Sequence, residues 1–367
     1  MVEKMNITYI IGNGFDLNLD LKTSYSSFLE YYLSKKTNNE VINIFKNNIK
    51  QNISLWSDLE IALGQSTELF YKQENPVLLF NECYNDILSN LGEYLLKIQN
   101  DLSQNIIDQD LLICFGEAIR TYLSGLKQTE IDSINRLSRN IEKYNCYTFL
   151  NFNYTNILDW IYKSIETNEN SIILGRAKNS GTWCENKWVN NIHVHGDING
   201  YMILGVDNES QIKHINIFDD DSISKSQMIK TETDEMIGNN VDKDSCKYLN
   251  NSDIIYLYGL SIGMTDAIWW KRIIDAMKQN DKLVLITYSH ALSKIKNQSK
   301  SPLQEERIRD KIKTDFLAFS DYEENNKIQI RNRIYVTGND IFSSFAERFK
   351  EKKKVYVDKE IDIRMAH

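Results

Sequence analysis

The most constraining feature of the sequence is one pattern that occurs four times. Each time, a short and largely apolar segment is followed at once by a polar or glycine-rich cluster. The segments are residues 8–11, 146–150, 192–194 and 254–258, and the clusters are residues 12–16, 151–155, 195–197 and 259–266. Apolar strands of this kind are typical of parallel sheets that helices cover on both faces. Because ligands of open α/β sheets bind outside the carboxyl ends of the strands, the four clusters are predicted to form one site.

The remaining pattern predicts an α/β fold with a large helical insertion. Between residues 24 and 140, apolar residues recur every three to four positions, which indicates helices. We therefore predict an α/β domain with a mostly parallel sheet from residues 1–23 and 141–367, interrupted by a helical region at 24–140. Later segments predict strands at 171–174, 201–204, 282–286 and 328–336, helices at 267–279 and 341–350, and a loop or exposed helix at 219–247.

Composition excludes several classes of protein. The 367 residues include 43 Lys and Arg against 51 Asp and Glu, a formal net charge of −8, which argues against broad binding to nucleic acid phosphates. The five cysteines are far apart and form no CxxC pair, as expected in a reducing cytoplasm. The N-terminus does not resemble a signal peptide, and no apolar stretch reaches the ~20 residues of a membrane helix. We expect a cytoplasmic protein that binds neither membrane nor nucleic acid.

The first cluster has the form of a turn that approaches an anion. Gly12 and Gly14 flank Asn13, and their missing side chains would let backbone N–H groups reach a phosphate. The third glycine of a dinucleotide fingerprint is replaced by Leu17, so a tight turn remains the alternative. Asp16 could cap the following helix or accept hydrogen bonds from ribose hydroxyls.

The second and third clusters each place two polar side chains on one face of an extended segment. Asn151 and Asn153 lie two residues apart, and a neutral amide can hold both a water molecule and a sugar hydroxyl. A pair of loop-capping asparagines is the alternative. His193 and His195 also share a face, but a third metal ligand at a characteristic spacing is absent. His195, beside Gly196, fits a general base, with a hydrogen-bonded structural histidine as the alternative.

The fourth cluster contains further candidates for ligand contact. Gly259 and Gly263 indicate close approach of the backbone, and Ser261 could contact a ligand. Thr265 or Asp266 could cap the helix that follows.

These motifs resemble those of the AbiH family, named for bacteriophage abortive infection. The resemblance is carried, in order along the chain, by residues 11–17, 21–28, 56–60, 149–155, 193–196 and 258–266. It implies an antiphage effector with a phage-derived trigger. Because uncontrolled activity would kill the host, we expect low basal activity, gated by the helical region or by assembly into a homo-oligomer.

The same motifs bear a more distant resemblance to sirtuin-like NAD-binding domains, which have a Rossmann-like sheet. That resemblance implies NAD as the ligand and no metal, and the zinc-binding cysteines of protein deacylases are missing. It implies that the nicotinamide–ribose bond is cleaved, with Asn153 positioning the water or ribose hydroxyl and His195 as base. The residues expected to contact the nucleotide are Gly12, Asn13, Gly14, Phe15, Asp16, Thr23, Ser24, Tyr154, Gly259, Ser261 and Asp266.

Two other functions remain open at this point. A nucleotide-binding sensor without catalysis would use His195 only to orient its ligand. A metal-dependent nuclease would use His193 and His195 with Asp197 or Asp207. Glu60 could reach the site, although a capping box that starts at Ser57 would also account for its carboxylate.

Overall fold

A six-stranded sheet, parallel throughout, forms the centre of the described chain. The computed structural model describes residues 4–102, 104–137, 144–167, 170–179, 182–238, 240–298 and 301–365. The strands of the sheet are β1 (Lys4–Ile11), β2 (Tyr144–Asn151), β5 (Lys187–His193), β6 (Ile254–Tyr258), β7 (Val284–Tyr288) and β8 (Ile334–Thr337). A separate antiparallel hairpin pairs β3 (Arg176–Asn179) with β4 (Thr182–Glu185). The predicted α/β fold with a Rossmann-like parallel sheet is confirmed.

The order of the strands is β5-β2-β1-β6-β7-β8, so the chain winds outward from β1 in both directions. This is the order of doubly wound Rossmann sheets, and its direction reverses between β1 and β6. The register aligns the strand ends, since Ile11 pairs with both Asn151 and Tyr258, and Asn151 pairs with His193. The segments that follow β1, β2, β5 and β6 therefore leave the sheet at one edge, beside the point of reversal.

Helices surround the sheet, and none of those described is both long and apolar enough to cross a membrane. Shorter 3-10 turns connect several of them. The helices are α1 (Gly14–Asn18), α2 (Tyr25–Ser34), α3 (Glu40–Gln51), α4 (Leu59–Ser66), α5 (Pro76–Asn100), α6 (Gln109–Arg120), α7 (Gln128–Leu137), α8 (Ile157–Glu166), α9 (Asn170–Leu174), α10 (Ser222–Gln227), α11 (Lys230–Ile237), α12 (Val241–Asn250), α13 (Ala267–Gln279), α14 (His290–Gln298), α15 (Pro302–Leu317), α16 (Glu324–Arg331) and α17 (Ser343–Met365).

Alternate residues of the strands enter two different cores. Tyr9 and Phe149 lie in the core on one face, where Phe115 of α6 packs against Phe149, while Ile10 and Leu150 lie in the core on the other face. This is the alternation expected of strands buried on both sides.

The helices between residues 24 and 140 divide between two cores. Helices α2 to α5 build a third core, which also takes in Tyr154, Leu204 and Ile229 from later in the chain. Helices α6 and α7 instead pack in the core against the sheet, through Phe115 and Ile134. The division of the chain at residues 24 and 140 stays a prediction. Residues inside the 24–140 region nevertheless share hydrophobic cores with residues outside it.

Some predicted elements are wrong or incomplete. Residues 171–174 fall within α9 rather than in a strand, and Gly175 after them has φ +79°, the left-handed conformation common at helix ends. Residues 328–330 belong to α16, and residues 201–204 contribute one isolated bridge, between Met202 and Gly196. Short apolar runs do not distinguish a buried strand from a buried helix by period alone. The region 219–247 holds α10, α11 and part of α12, and buries several of its polar residues.

Candidate functional site

A pocket of about 230 Å³ lies at the edge of the sheet where the four clusters meet. Most of the predicted site residues line it: Gly12, Asn13, Asp16, Thr23, Asn153, Tyr154, His195, Gly259, Ser261 and Asp266. Gly14, Phe15 and Ser24 are not among the lining residues. The strand-end clusters, which are far apart in the sequence, thus face a common cavity at the reversal point of the sheet.

The glycines of the first cluster allow two turns to pack closely. The N–H of Gly12 donates to the carbonyl of Tyr258 at 2.9 Å, and that of Gly14 donates to the carbonyl of Gly259 at 2.8 Å. A Cβ on Gly14 would lie 2.5 Å from the Cα of Gly259, which itself has φ +73°. The amides of Gly12 and Gly14, which the sequence suggested for an anion, are therefore engaged with carbonyl oxygens between the turns.

Neighbours of this turn have structural roles. Phe15 is buried against Phe342 and Phe345 in the core. Ser24 caps α2 by accepting a hydrogen bond from the N–H of Ser27 at 3.2 Å. Asn13 Nδ2 donates to the carbonyl of Thr23 at 3.1 Å, which ties the turn to the segment before α2.

Asp16 faces the second cluster from the first turn of α1. The N-cap position of α1 is Asn13, so of the two alternatives for Asp16 the one in which it caps this helix is wrong. Its carboxylate accepts a hydrogen bond from Thr155 Oγ1 at 2.6 Å and a longer one from Asn153 Nδ2 at 3.3 Å. Burial raises the pKa of Asp16 to about 7, although these two hydrogen bonds oppose the increase. Asp16 therefore exchanges a proton near neutral pH.

Asn153 presents a buried acceptor with no partner among the described residues. Its side chain lines the pocket, the residue is only 6% exposed, and its Oδ1 receives no hydrogen bond. Its backbone is held firmly, since its N–H donates to Asn151 Oδ1 at 3.0 Å. Buried polar atoms in folded proteins almost always have partners, so Oδ1 is suited to accept a hydrogen bond from a ligand or a bound water.

His193 supports Asn153 from behind. Its Nδ1 lies 2.9 Å from the carbonyl oxygen of Asn153, and its Nε2 lies 2.7 Å from Asp159 Oδ2. Both partners are acceptors, so the ring is satisfied when both nitrogens carry protons. Burial lowers the pKa of His193, but the Asp159 carboxylate outweighs burial and the pKa ends above its ordinary value. His193 is thus a positioning residue whose surroundings favour the charged form of its ring.

The surroundings of His195 favour the opposite protonation state. Its Nε2 lies 3.1 Å from Asp266 Oδ1, and the residue is buried. Burial and the charge of Lys230 lower the pKa of His195, against the opposing effect of Asp266. The imidazole is therefore uncharged at neutral pH. When Nε2–H donates to Asp266, Nδ1 carries the lone pair of a base.

A buried ion-pair network joins His195 to the helical region. Lys230 Nζ lies 2.7 Å from Glu60 Oε2 and 2.9 Å from Asp266 Oδ1, and it donates to the carbonyl of Thr265 at 2.8 Å. Burial raises the pKa of Glu60 to about 7 despite Lys230. Burial would also raise the pKa of Asp266, but Lys230 and His195 outweigh it and hold that pKa well below its usual range.

Sequence reasoning missed part of this network. Asp58, not Ser57, caps α4 by accepting from the N–H of Ile61 at 3.2 Å, which leaves the Glu60 carboxylate to bind Lys230 and Tyr25. Glu60 lies in one of the family-like motifs, which was the available signal. Lys230 lies in a polar stretch and gave no local signal.

The histidines do not form a metal centre with nearby acids. Within the described ranges, no group of three or more His, Cys, Asp and Glu side chains could hold a metal ion. His193 pairs with Asp159 and His195 pairs with Asp266, in two separate interactions. The nuclease alternative gains no support from this arrangement.

Comparison with known protein families identifies a family that matches most of the chain. The family model described as bacteriophage abortive infection AbiH matches residues 8–288, a range that includes the second half of β1, all of β2, β5 and β6, and every residue of the pocket. Comparison with curated proteins gave no match. The family's description points to a role in abortive infection, a defence against bacteriophage. The chain therefore belongs to the AbiH family.

Proposed function

We propose that this AbiH protein is an abortive-infection effector that hydrolyses NAD, or a related nucleotide, at the bond between nicotinamide and ribose. The observation that carries the proposal is the pairing of Asn153 and His195 on the walls of one pocket. Asn153 offers an unpartnered acceptor, and His195 offers an uncharged imidazole. A general base and an acceptor that orients water both assist hydrolytic attack on a sugar carbon.

The reaction proceeds by loss of nicotinamide and capture of water. The bond between ribose C1′ and the pyridinium nitrogen breaks, and its electron pair leaves with nicotinamide. Water adds to C1′ and gives its proton to His195 Nδ1, while Asp266 stabilises the resulting imidazolium. Asn153 Oδ1 accepts a hydrogen bond from this water or from a ribose hydroxyl. The products are nicotinamide, the ADP-ribose portion and one proton.

The acidic walls of the pocket support the same chemistry. Positive charge develops on the ribose ring as the bond breaks, and fixed carboxylates stabilise such charge. Asp16 and Glu60 line the pocket and Asp266 carries a negative charge there. The resemblance to sirtuin-like domains supports nicotinamide as the leaving group, and it stays a prediction.

The direct test incubates the purified protein with NAD, alone and with phage lysate, and measures nicotinamide and ADP-ribose by chromatography. We expect hydrolysis to rise when lysate supplies the trigger. His195→Gln and Asn153→Ala should each reduce kcat by about 100-fold or more, the usual contribution of a positioned acid–base group. The matched control is His214→Gln, because His214 also pairs with a carboxylate, Glu68 at 2.8 Å, but does not line the pocket.

The outcomes separate this proposal from its alternatives. If wild-type protein protects cells while NAD stays constant in the presence of lysate, NAD hydrolysis is wrong. Protection that survives His195→Gln would favour the nucleotide sensor. Degradation of nucleic acid that a chelator abolishes would favour the nuclease.

A further inference from the structure

The pocket carries an excess of acidic groups. Four carboxyl side chains line it, from Asp16, Asp58, Glu60 and Asp266. Among the described lining residues there is neither lysine nor arginine. Lys230 lies behind the wall with its side chain only 7% exposed, and it pairs with Glu60 and Asp266. Because the pKa values of Asp16 and Glu60 lie at about 7, these two groups are only partly ionised at neutral pH. Together with the ionised Asp266 they still exceed the charge of the one buried ammonium, so the cavity repels anions and attracts cations.

Two of the backbone amides beside the pocket are not available to an anion. The amides of Gly12 and Gly14 donate to the carbonyls of Tyr258 and Gly259, as described above. Helix α1 is only five residues long, and Asp16 places a carboxyl group in its first turn. A phosphate near this turn would meet that carboxyl group in place of a free pair of N–H donors.

Other groups in the pocket suit a ligand that combines a positively charged aromatic ring with hydroxyl groups. Tyr25, Phe152 and Tyr154 line the pocket, and aromatic faces attract cations. Asn153 Oδ1 is an unpartnered acceptor that a hydroxyl group or an amide N–H can satisfy.

From this charge distribution we propose that the pocket selects the cationic nicotinamide–ribose end of its ligand and leaves the phosphate groups outside. The inference rests on the proposed function for the identity of the ligand. The selection for a phosphate-free cation rests on the carboxyl groups and engaged amides themselves. It follows that a nicotinamide riboside without phosphate is a sufficient ligand for the pocket.

Calorimetric titration of the full-length protein tests this selection. The probes are the carbocyclic analogue of nicotinamide riboside, which resists hydrolysis, together with ADP-ribose and inorganic pyrophosphate. At neutral pH and low salt, the riboside analogue should bind at least about tenfold more tightly than ADP-ribose. Its affinity should fall as salt is added, because salt screens the attraction between opposite charges.

A charge-neutral variant at the pocket makes the test specific. Asp58→Asn removes one carboxylate and keeps an N-cap for α4, since asparagine caps helices as well as aspartate does. We expect the riboside analogue to bind several-fold more weakly and ADP-ribose to bind more tightly. Asp281→Asn is the control, because Asp281 is exposed and precedes β7, at the opposite edge of the sheet.

The results distinguish this inference from the proposed function. The inference is wrong if pyrophosphate or ADP-ribose binds more tightly than the riboside analogue, or if Asp58→Asn leaves their ratio unchanged. Selective binding of the riboside analogue without any hydrolysis of NAD would uphold the inference and reject the proposed reaction. Hydrolysis of NAD together with preferred binding of ADP-ribose would uphold the proposed reaction and reject the inference.

Discussion

The pKa values of two histidines that lie two residues apart are shifted in opposite directions because their immediate neighbours differ. His193 lies between the Asp159 carboxylate and the Asn153 carbonyl, two acceptors that favour its charged form. His195 meets one carboxylate, Asp266, but shares it with the Lys230 ammonium. The first histidine therefore fixes a backbone position, and the second is available to take up a proton.

Asp16 gives a residue-scale prediction about pH. Its pKa is about 7 in the folded protein because of burial, against 3.8 ordinarily, so the folded state binds this proton more tightly than the unfolded state does. The contribution of Asp16 to stability is therefore lost as pH rises from about 4 to about 7, and it changes no further above that range. Asp16→Asn should remove this dependence, so the stability of the variant relative to wild type should improve by about 1 kcal/mol or more between about pH 5 and pH 8.

Thermal unfolding at the two pH values measures this effect. Asp281→Asn, at an exposed aspartate, should show the same difference from wild type at both pH values. A gap between Asp16→Asn and wild type that does not change with pH would show that Asp16 ionises normally in the folded protein.

Side chains at strand ends were predictable from the sequence, whereas their partners from other elements were not. Asn153, His195 and Asp266 follow buried strands, so the topology rule for open sheets was enough to find them. Lys230 is buried only because Glu60 and Asp266, distant in the sequence, both reach it. A local sequence pattern does not predict contacts between residues that are so far apart in the sequence.

At the scale of elements, Lys230 joins parts of the molecule that share no strand pairing. It connects the start of α11 to Glu60 in α4 and to Asp266 in the turn before α13. It also holds the Thr265 carbonyl in that turn. The position of Asp266 against His195 therefore depends on how α4 and α11 pack.

Removing the Lys230 charge should destabilise the protein strongly. Lys230→Met leaves two buried carboxyl groups without their cation, which typically costs about 3–5 kcal/mol of unfolding free energy. Lys225→Met is the matched control, because Lys225 pairs with Glu209 at 2.8 Å on the surface, where such pairs contribute little to stability. Urea unfolding measures both losses, and equal losses would mean that the buried network is not important for stability.

The predictability of elements follows their length and the strength of their pattern. The predicted helix at 267–279 coincides with α13, whose thirteen residues have a clear apolar face. Residues 171–174 form part of the five-residue α9, too short for its period to be read from the sequence. The conformation of this segment depends on its packing against residues that are distant in the sequence, and a local pattern does not show such packing.

At the scale of the whole molecule, the helical region and the sheet depend on one another. Phe115 of α6 packs against Phe149 of β2 and Trp188 of β5, with ring centroids 5.8 and 5.3 Å apart. Tyr25 and Glu60, from the other helices of the region, complete the pocket. The region therefore contributes both to the core and to the site.

We expect that deleting residues 24–140 will prevent folding rather than release an active enzyme. The deletion exposes the apolar face of the sheet and removes part of the pocket. Near-ultraviolet circular dichroism and size-exclusion chromatography should show lost tertiary structure and aggregation. As a comparison, Phe115→Ala alone should fold with a loss of about 3–5 kcal/mol. A deletion variant that is monomeric and unfolds cooperatively would show that the helices are a separable insertion.

The strand order has a consequence for synthesis of the protein in a cell. β1 is made first, but its neighbour β6 follows more than two hundred residues later, and the turn after β6 brings Gly259, Ser261 and Asp266 to the pocket. A nascent chain on the ribosome therefore lacks one wall of the cavity until translation has passed residue 266. A toxic activity that depends on this cavity would therefore be absent from truncated chains, so incomplete translation would not harm an uninfected host.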